Sequence, residues 1–258
     1  MTRDDLISRM RSHGLTPRAS EFSERYATDG IFGLFEHVGS HTAWLVHNAL
    51  LAGVEPVQRD RIISGQELWS WTPGANPGPD FGILNADGRV LAVFEHKRDA
   101  YSNVTSYGTF QGRRRFNDPV AQSLIIPEHT PGMHTPEECR GCEAHWHTGL
   151  RNGRWSAGMP QIDFYRSTPD RWVRPLRNGG GTVHLPDPTE ALWVLLDRHG
   201  RTAEEAFPQA HTSAAWHTTS YQDFALGLWT AYEHAMNDTA VPMGAEHVGG
   251  VLEMVVYP

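Results

Sequence analysis

The chain contains almost no lysine. Of its 22 Lys and Arg side chains, 21 are arginine, and Lys97 is the single lysine. Exposed lysines and arginines are nearly equivalent in solvation, so a general drift toward arginine should replace every exposed lysine alike. A lysine that persists therefore points to a role that needs a compact ammonium group, which the planar guanidinium of arginine cannot replace.

Cysteine and long apolar runs are also scarce. Two cysteines cannot make a disulfide framework. No apolar run approaches the length of a membrane span, and the first residues, MTRDDLISRMRSHG, carry charges where a signal peptide needs an apolar stretch. We therefore expect a soluble cytoplasmic protein with no membrane partner. The sequence also has no Walker loop, so no nucleotide cofactor is expected.

What the chain does contain is enough apolar surface for a sizeable core. With 258 residues, 39% of them hydrophobic, and nine tryptophans, it fits one domain over 1–258. We expect a helical N-terminal part at 1–60, a catalytic hairpin with a following helix at 61–126, a Cys/His-rich insertion at 127–158, and the remaining core strands and helices at 159–258. In that last part, PQIDFYR, ALWVLLDRHG and GGVLEMVVYP predict strands, and 202–207 and 220–236 predict helices.

Charge is unevenly distributed along the chain. The net charge of −8 argues against a general polyanion binder. Residues 111–177, however, carry ten basic and seven acidic side chains, whereas 178–258 carry two and ten. The basic stretch suits a surface that follows phosphates, although solvated arginine-rich loops explain it equally well. The candidate phosphate contacts are Arg113, Arg114, Arg115, Arg151 and Arg154.

Residues 79–97, PDFGILNADGRVLAVFEHK, predict two strands joined by a tight turn. The Asp-Gly pair at 87–88 is a strong hairpin signal. With a two-residue loop there, Asp80 falls opposite Glu95. Since side chains alternate between the two faces of a strand, Asp80, Glu95 and Lys97 then project from one face. A three-residue loop would break this arrangement.

Two carboxylates on one strand face can hold a hard divalent cation, Mg²⁺ or Mn²⁺. Such a cation keeps several waters, takes phosphate oxygens and lowers the pKa of a bound water. Lys97 beside it can orient or deprotonate the attacking water and offset charge in the transition state. The backbone carbonyl of His96 is placed to be a further ligand.

These residues spell a known pattern. Pro79-Asp80, fourteen intervening residues, and then Glu95-His96-Lys97 resemble the motif of the PD-(D/E)xK nuclease superfamily. The resemblance implies an α/β fold with a restriction-endonuclease-like core, in which helices flank a mixed central β-sheet, and Mg²⁺-dependent hydrolysis. Asp80 and Glu95 would be metal ligands and Lys97 the catalytic lysine. Many members add an acidic residue from a preceding helix; here Glu36 is the best-placed candidate, with Glu55 and Glu67 behind it.

A second cluster, HTPEECRGCEAHWH, holds both cysteines of the chain. Cys-x₂-Cys gives two thiolates the spacing that tetrahedral zinc requires. The zinc candidates are Cys139, Cys142, His134, His145 and His147. A small zinc-binding insertion would explain how a segment rich in Pro and Gly becomes ordered; two reduced cysteines in a histidine-rich loop are the alternative.

Together these features predict a Mg²⁺-dependent DNA endonuclease of restriction or phage defence. Double-stranded DNA is the expected substrate, and a homodimer would cut one strand with each subunit. Three other functions stay open: an exonuclease or repair nuclease of the same superfamily, a non-catalytic nucleic-acid-binding module held together by zinc, and a small-molecule or protein-interacting domain whose acidic C-terminal third mediates contacts.

Overall fold

The computed structural model describes residues 1–72, 79–98, 190–207, 210 and 212–258, the backbone of three strands between 107 and 160, and Ile162, Tyr165 and Arg166. The helices whose bounds are described are α1 (Arg3–Ser12), α2 (Glu24–Gly33), α3 (Ser40–Leu50), α4 (Pro56–Ile63), α5 (Ala203–Ala206), α6 (Tyr221–Asn237) and α7 (Gly244–Val255). Short 3₁₀ helices occur at Ala19–Glu21, Leu34–Glu36 and Ser213–Ala215. No helix in the described residues is long and apolar enough to cross a membrane.

Local sequence signals explain where several helices begin. Thr2 caps α1 in a reciprocal capping box with Asp5, and Ser23 caps α2 by accepting a hydrogen bond from the N–H of Tyr26. Gly39 separates the 3₁₀ helix at Leu34–Glu36 from α3. The apolar run at 31–51 is therefore divided at Gly39, where the sequence allows a break.

The five-stranded sheet is mixed and open. It contains β1 (Leu68–Trp71), β2 (Phe81–Asn85), β3 (Val90–Lys97), β7 (Leu192–Asp197) and β8 (Trp216–Ser220), in the order β1-β2-β3-β7-β8. The first three strands are antiparallel neighbours, whereas β3, β7 and β8 run parallel. Helices α1, α3, α6 and α7 share one apolar core with the inward side chains of β2, β3 and β7. The α/β class and the mixed central sheet with flanking helices are thus confirmed.

A separate three-stranded sheet has the order β4-β6-β5, with β4 at Tyr107–Phe110, β5 at His147–Arg151 and β6 at Arg154–Pro160. All its neighbours are antiparallel. Its strand at 107–110 lies in the segment where the sequence predicts a loop followed by a helix, so that expectation is wrong for these four residues.

Two further expectations about the C-terminal part are corrected. GGVLEMVVYP does not form a closing strand, because its first seven residues belong to α7, whose buried Val248, Val251, Leu252 and Val255 recur at helical spacing. In PQIDFYR, Pro160 ends β6 and the described Ile162, Tyr165 and Arg166 are helical. The strand at ALWVLLDRHG and both helices, α5 and α6, are confirmed.

The hairpin between β2 and β3 differs from the predicted tight turn. Its loop has three residues, 86–88, since Asn85 N–H donates to the carbonyl of Arg89 (3.0 Å) and Gly88 N–H donates to the carbonyl of Asn85 (2.9 Å). Gly88 has φ +78°, the left-handed conformation that such a loop needs at its last position. The Asn85 side chain closes the loop by accepting from the N–H groups of residues 87 and 89.

A β-bulge compensates for this extra loop residue. Leu84 pairs with Val90, but Ile83 pairs with Ala92, so Leu91 is an additional residue in β3. From there Phe81 pairs with Phe94, and one further step of the register sets Asp80 opposite Glu95. The predicted opposition of Asp80 and Glu95 is therefore present, although a bulge and a three-residue loop produce it together.

Candidate active site at the end of strand β3

Two charged side chains lie buried near the end of β3. Glu95 is 1% exposed and Lys97 is 5% exposed. The Lys97 Nζ lies 2.6 Å from Oε1 of Glu95. Apart from this ion pair, neither carboxylate oxygen of Glu95 has a hydrogen-bond partner in the described part of the chain. A buried ion pair is weak evidence for a stabilising role, because desolvation of both charges offsets their attraction.

Asp80 joins them from the start of β2. Its Oδ2 accepts a hydrogen bond from the backbone N–H of His96 (2.7 Å), and its own N–H donates to the carbonyl of Phe94 (3.1 Å). Asp80 is thereby fixed to the edge of β3 beside Glu95. In an extended strand the N–H and C=O of one residue point to the same side, so the His96 carbonyl also points toward β2, on the side of Asp80.

A third carboxylate comes from α2, and the sequence analysis missed it. Oε1 of Glu24 lies 3.8 Å from the Lys97 Nζ, and Oε2 accepts a hydrogen bond from the backbone N–H of Arg98 (2.8 Å). Glu24 is the first residue of α2 and is one-third exposed. A signal for it exists in the sequence: Ser23 is a good helix N-cap, and the glutamate after it sits at the helix start, where negative charge is favoured.

Glu36 does not take this place. It lies in the 3₁₀ helix at Leu34–Glu36, and its side chain is exposed. Glu24 lies at the opposite end of the α2 segment and reaches the end of β3. Glu24, and not Glu36, is therefore the acid that lies beside Lys97. Glu55 directly precedes α4 and Glu67 lies just before β1, and both are exposed.

The charges of this cluster act on one another. Burial raises the pKa of Glu95, and the nearby charge of Asp80 raises it further. The pKa of Asp80 is also raised by burial, against the opposing effect of Lys97. For Lys97, burial lowers the pKa, but the charges of Glu95, Glu24 and Asp80 outweigh burial and raise it above its usual value. The raised pKa values of Glu95 and Asp80 mean that a positive charge beside these carboxyls, from Lys97 or from a bound cation, is needed to keep them ionised.

The donor set fits a hard divalent cation. Mg²⁺ is commonly bound by one or two carboxylates, with waters and substrate phosphate oxygens filling its remaining positions. Asp80 and Glu95 supply two carboxylates, and Oε2 of Glu95 is buried with no hydrogen-bond partner in the described residues. Within the described ranges, no three His, Cys, Asp or Glu side chains lie close enough together to hold a metal ion, so Glu24 is not counted with Asp80 and Glu95 as a ligand. The two carboxylates match the number with which Mg²⁺ is commonly bound.

Arginines surround the same edge of the sheet. Arg198 N–H donates to the carbonyl of Lys97 (2.9 Å), and its guanidinium lies 3.6 Å from the ring centroid of Tyr257. Arg98 donates from Nε to the hydroxyl of Tyr257 (2.8 Å). Asp197, paired with Lys97 across β3 and β7, binds Arg201 through both carboxylate oxygens. Arg98 and Arg198 thus lie beside the acidic cluster, while the charge of Arg201 is offset by Asp197.

The other predicted site residues are described only in part. Arg113, Arg114, Arg115, Cys139, Cys142, His134 and His145 lie outside the described residues. His147 begins β5, and Arg151 pairs with Arg154 where β5 and β6 meet their connecting loop, but only the backbone of these three residues is described. The zinc site and the arginine contacts therefore stay predictions.

Compared with models of known protein families, with curated proteins and with solved structures, the chain has no match.

Proposed function

We propose that this chain is a Mg²⁺-dependent DNA endonuclease with a restriction-endonuclease-like core, a nuclease of the PD-(D/E)xK type that acts in restriction or phage defence. The observation that carries the proposal is the group formed by the buried Glu95 and Lys97 on β3 and by Asp80, which directly precedes β2 and lies opposite Glu95. A buried lysine between carboxylates is costly to fold, so a catalytic role explains it better than a structural one.

In the proposed mechanism, Asp80 and Glu95 would hold the cation, with the His96 carbonyl as a further ligand. A bound Mg²⁺ would supply a Lewis acid for the phosphodiester and favour ionisation of a water. Lys97 would donate hydrogen bonds from its ammonium group to the scissile phosphate or to the attacking water, and its charge would offset the negative charge on the phosphoryl oxygens in the transition state. The acidic neighbours keep the ammonium protonated and pointed into the cluster.

Glu24 has a supporting place in this scheme. It is close enough to Lys97 to share the ammonium with Glu95, so binding of a cation to Glu95 need not leave the lysine without a counter-charge. Its partial exposure also leaves it accessible to water and substrate. A position at the rim of the cluster suits an outer ligand or a residue that orients the nucleophile.

The substrate class rests on charge as well as on the cluster. Beside Lys97, Arg198 is partly exposed, whereas Arg98 is buried and Arg201 is bound to Asp197. The arginines of 111–177 follow Lys97 in the sequence. DNA backbones are bound mainly through such cations, with affinity that falls steeply as salt rises. Double-stranded DNA is the proposed substrate, and two copies of the chain would be needed to cut both strands at one binding event.

One experiment tests the activity directly. Purified protein is incubated with supercoiled plasmid and with linear single-stranded DNA, each in Mg²⁺ and in EDTA. Discrete fragments from plasmid in Mg²⁺ support a site-specific endonuclease, and progressive smearing from DNA ends would favour an exonuclease or repair nuclease. Asp80→Asn is the matched control, because it removes one charge and keeps the shape of the side chain. Salt-dependent binding without cleavage in wild type would favour the non-catalytic module and overturn the proposal.

A further inference from the structure

His96 lies between the two buried charges of β3 but points to the opposite face. Its side chain is fully buried. An uncharged imidazole has one N–H donor and one acceptor nitrogen. A buried ring of this kind needs a partner at each nitrogen, because an unpaired polar atom in the interior is costly.

Both partners are present. Nδ1 of His96 lies 2.5 Å from the hydroxyl of Thr28 on α2, and Nε2 is hydrogen-bonded to the hydroxyl of Tyr221, the first residue of α6. Thr28 also donates its hydroxyl proton to the carbonyl of Glu24 (3.0 Å), since a carbonyl can only accept. The Thr28 oxygen must then accept from His96, so Nδ1 carries the proton and Nε2 accepts from Tyr221.

The direction of this chain of hydrogen bonds is therefore fixed. It runs from Tyr221 to His96, from His96 to Thr28, and from Thr28 to the backbone of Glu24. Burial raises the pKa of Tyr221, which keeps the phenol protonated and able to donate. This series of hydrogen bonds ends on Glu24, whose carboxylate lies near Lys97. The backbone N–H of His96 also donates a hydrogen bond to Asp80.

We propose that His96 is a positioning residue that sets two of the three carboxylates of the cluster: Asp80 through its backbone and Glu24 through its ring, Thr28 and the first turn of α2. This inference rests on the proposed function, because it assigns the ring the task of holding α2 at a distance from β3 that suits a cation and Lys97. A phenylalanine could fill the same space, but it could not fix α2 in this position.

The test uses Thr28→Val, which keeps the shape of the side chain and removes the hydroxyl that receives the His96 proton. Tyr221→Phe removes the donor at the other end. Thr28→Ser restores a hydroxyl and is the rescue variant. Thr42→Val is the matched control, because Thr42 makes the same kind of hydrogen bond to a histidine, with 2.8 Å between its Oγ1 and Nδ1 of His234, away from the cluster.

Isothermal titration with Mn²⁺ alone, in the absence of DNA, gives a readout that does not depend on cleavage. We expect Thr28→Val and Tyr221→Phe to bind Mn²⁺ about tenfold more weakly than wild type, a loss typical of groups that orient metal ligands. Thr28→Ser should recover most of the affinity, and Thr42→Val should match wild type. Circular dichroism checks that each variant is folded.

Two outcomes separate this inference from the proposed function. If wild type binds no Mn²⁺, the proposed function fails and this inference fails with it. If wild type binds Mn²⁺ and both Thr28→Val and Tyr221→Phe bind it equally well, the inference alone is overturned. Long-range ¹H–¹⁵N NMR of the imidazole is a further check without metal: wild type should show the proton on Nδ1 of His96, and a proton on Nε2 would contradict the direction of the chain.

Discussion

Glu24 Oε1 and Lys97 Nζ lie 3.8 Å apart, although 73 positions separate the two residues in the chain. The contact joins the start of α2 to the end of β3, and it puts a partly exposed carboxylate beside a buried pair of opposite charges. Tertiary packing therefore decides which acid joins the cluster. Matched substitutions of Glu24 and Glu36 can test this assignment.

The first prediction compares Glu24→Gln with Glu36→Gln. Glutamine keeps an oxygen that can accept from the N–H of Arg98, so the fold should tolerate the first substitution. We expect Glu24→Gln to lower the cleavage rate about 10- to 100-fold, as does loss of other groups that orient metal ligands. Initial rates of plasmid nicking at fixed Mg²⁺ measure this. Glu36→Gln should cleave like wild type, and a larger loss there than at Glu24 would contradict the assignment.

The second prediction concerns the pair Glu95 and Lys97 as an element of stability. In EDTA, Lys97→Met should lower the free energy of unfolding by about 3 kcal/mol, because it leaves the buried carboxylate of Glu95 without its counter-charge. The double variant Glu95→Gln with Lys97→Met should regain most of that loss, since no unpaired charge then remains. Urea unfolding measures all variants. A double variant no more stable than Lys97→Met would show that the pair is not coupled.

The third prediction concerns the loss of stability at acidic pH. Burial lowers the pKa of His47 to about 3, below the value of about 6.5 that histidine has in an unfolded chain. The unfolded state therefore binds a proton first as pH falls. The contribution of His47 to stability is complete above pH 6.5 and is lost below it, at about 1.4 kcal/mol per pH unit until pH nears 3.

Two variants isolate this effect. His47→Phe keeps the stacking on Phe35 (centroids 4.3 Å apart) and removes the titrating group, so its free energy of unfolding should fall less steeply between pH 6.5 and 4.5. Ser70→Ala removes only the hydrogen bond to Nε2 (3.1 Å) and should keep the steep slope. Urea unfolding at stepped pH measures both, and equal slopes for His47→Phe and wild type would refute the assignment.

The fourth prediction concerns zinc. The spacing of Cys139 and Cys142 predicts a structural site in the segment 127–158. Elemental analysis of purified protein should find about one zinc per chain, as expected for a four-coordinate structural site. The double variant Cys139→Ser with Cys142→Ser should contain none, and an exposed histidine variant, His199→Ala, should retain it. Wild-type protein that neither contains zinc nor binds added zinc would rule the site out.

The elements that the sequence predicts well are those set by local signals. The break at Gly39 and the apolar run of β7 each depend on a few neighbouring residues. Glu95 and Lys97 belong here too, because alternation along β3 puts both on one face. The opposition of Asp80 to Glu95 also depends on the bulge at Leu91, which the sequence analysis does not predict.

The elements that it misses depend on contacts distant in sequence. β8, with the sequence WHTTS, is short and has no apolar run; it forms beside β7, where Trp216 and Thr219 are buried. The terminal GGVLEMVVYP is rich in β-branched residues, yet burial against α6 and α2 overrides that preference and gives a helix. The sequence does not reveal the role of Glu24 for the same reason: its position depends on the packing of α2 against β3, where the hydroxyl of Thr28 is hydrogen-bonded to His96.

The bulge at Leu91 affects how relatives of this protein should be sought. Fourteen residues separate Asp80 from Glu95, and that number contains one residue of the bulge and three of the loop. In a hairpin with the same three-residue loop and no bulge, the same two acids would face each other with thirteen residues between them. In a hairpin with a two-residue loop and no bulge, fourteen residues would again lie between them. The number of residues between the two acids is therefore a poor criterion for finding related sequences. A search that requires the two facing acids but allows turns of different length should find sequences that a fixed spacing excludes.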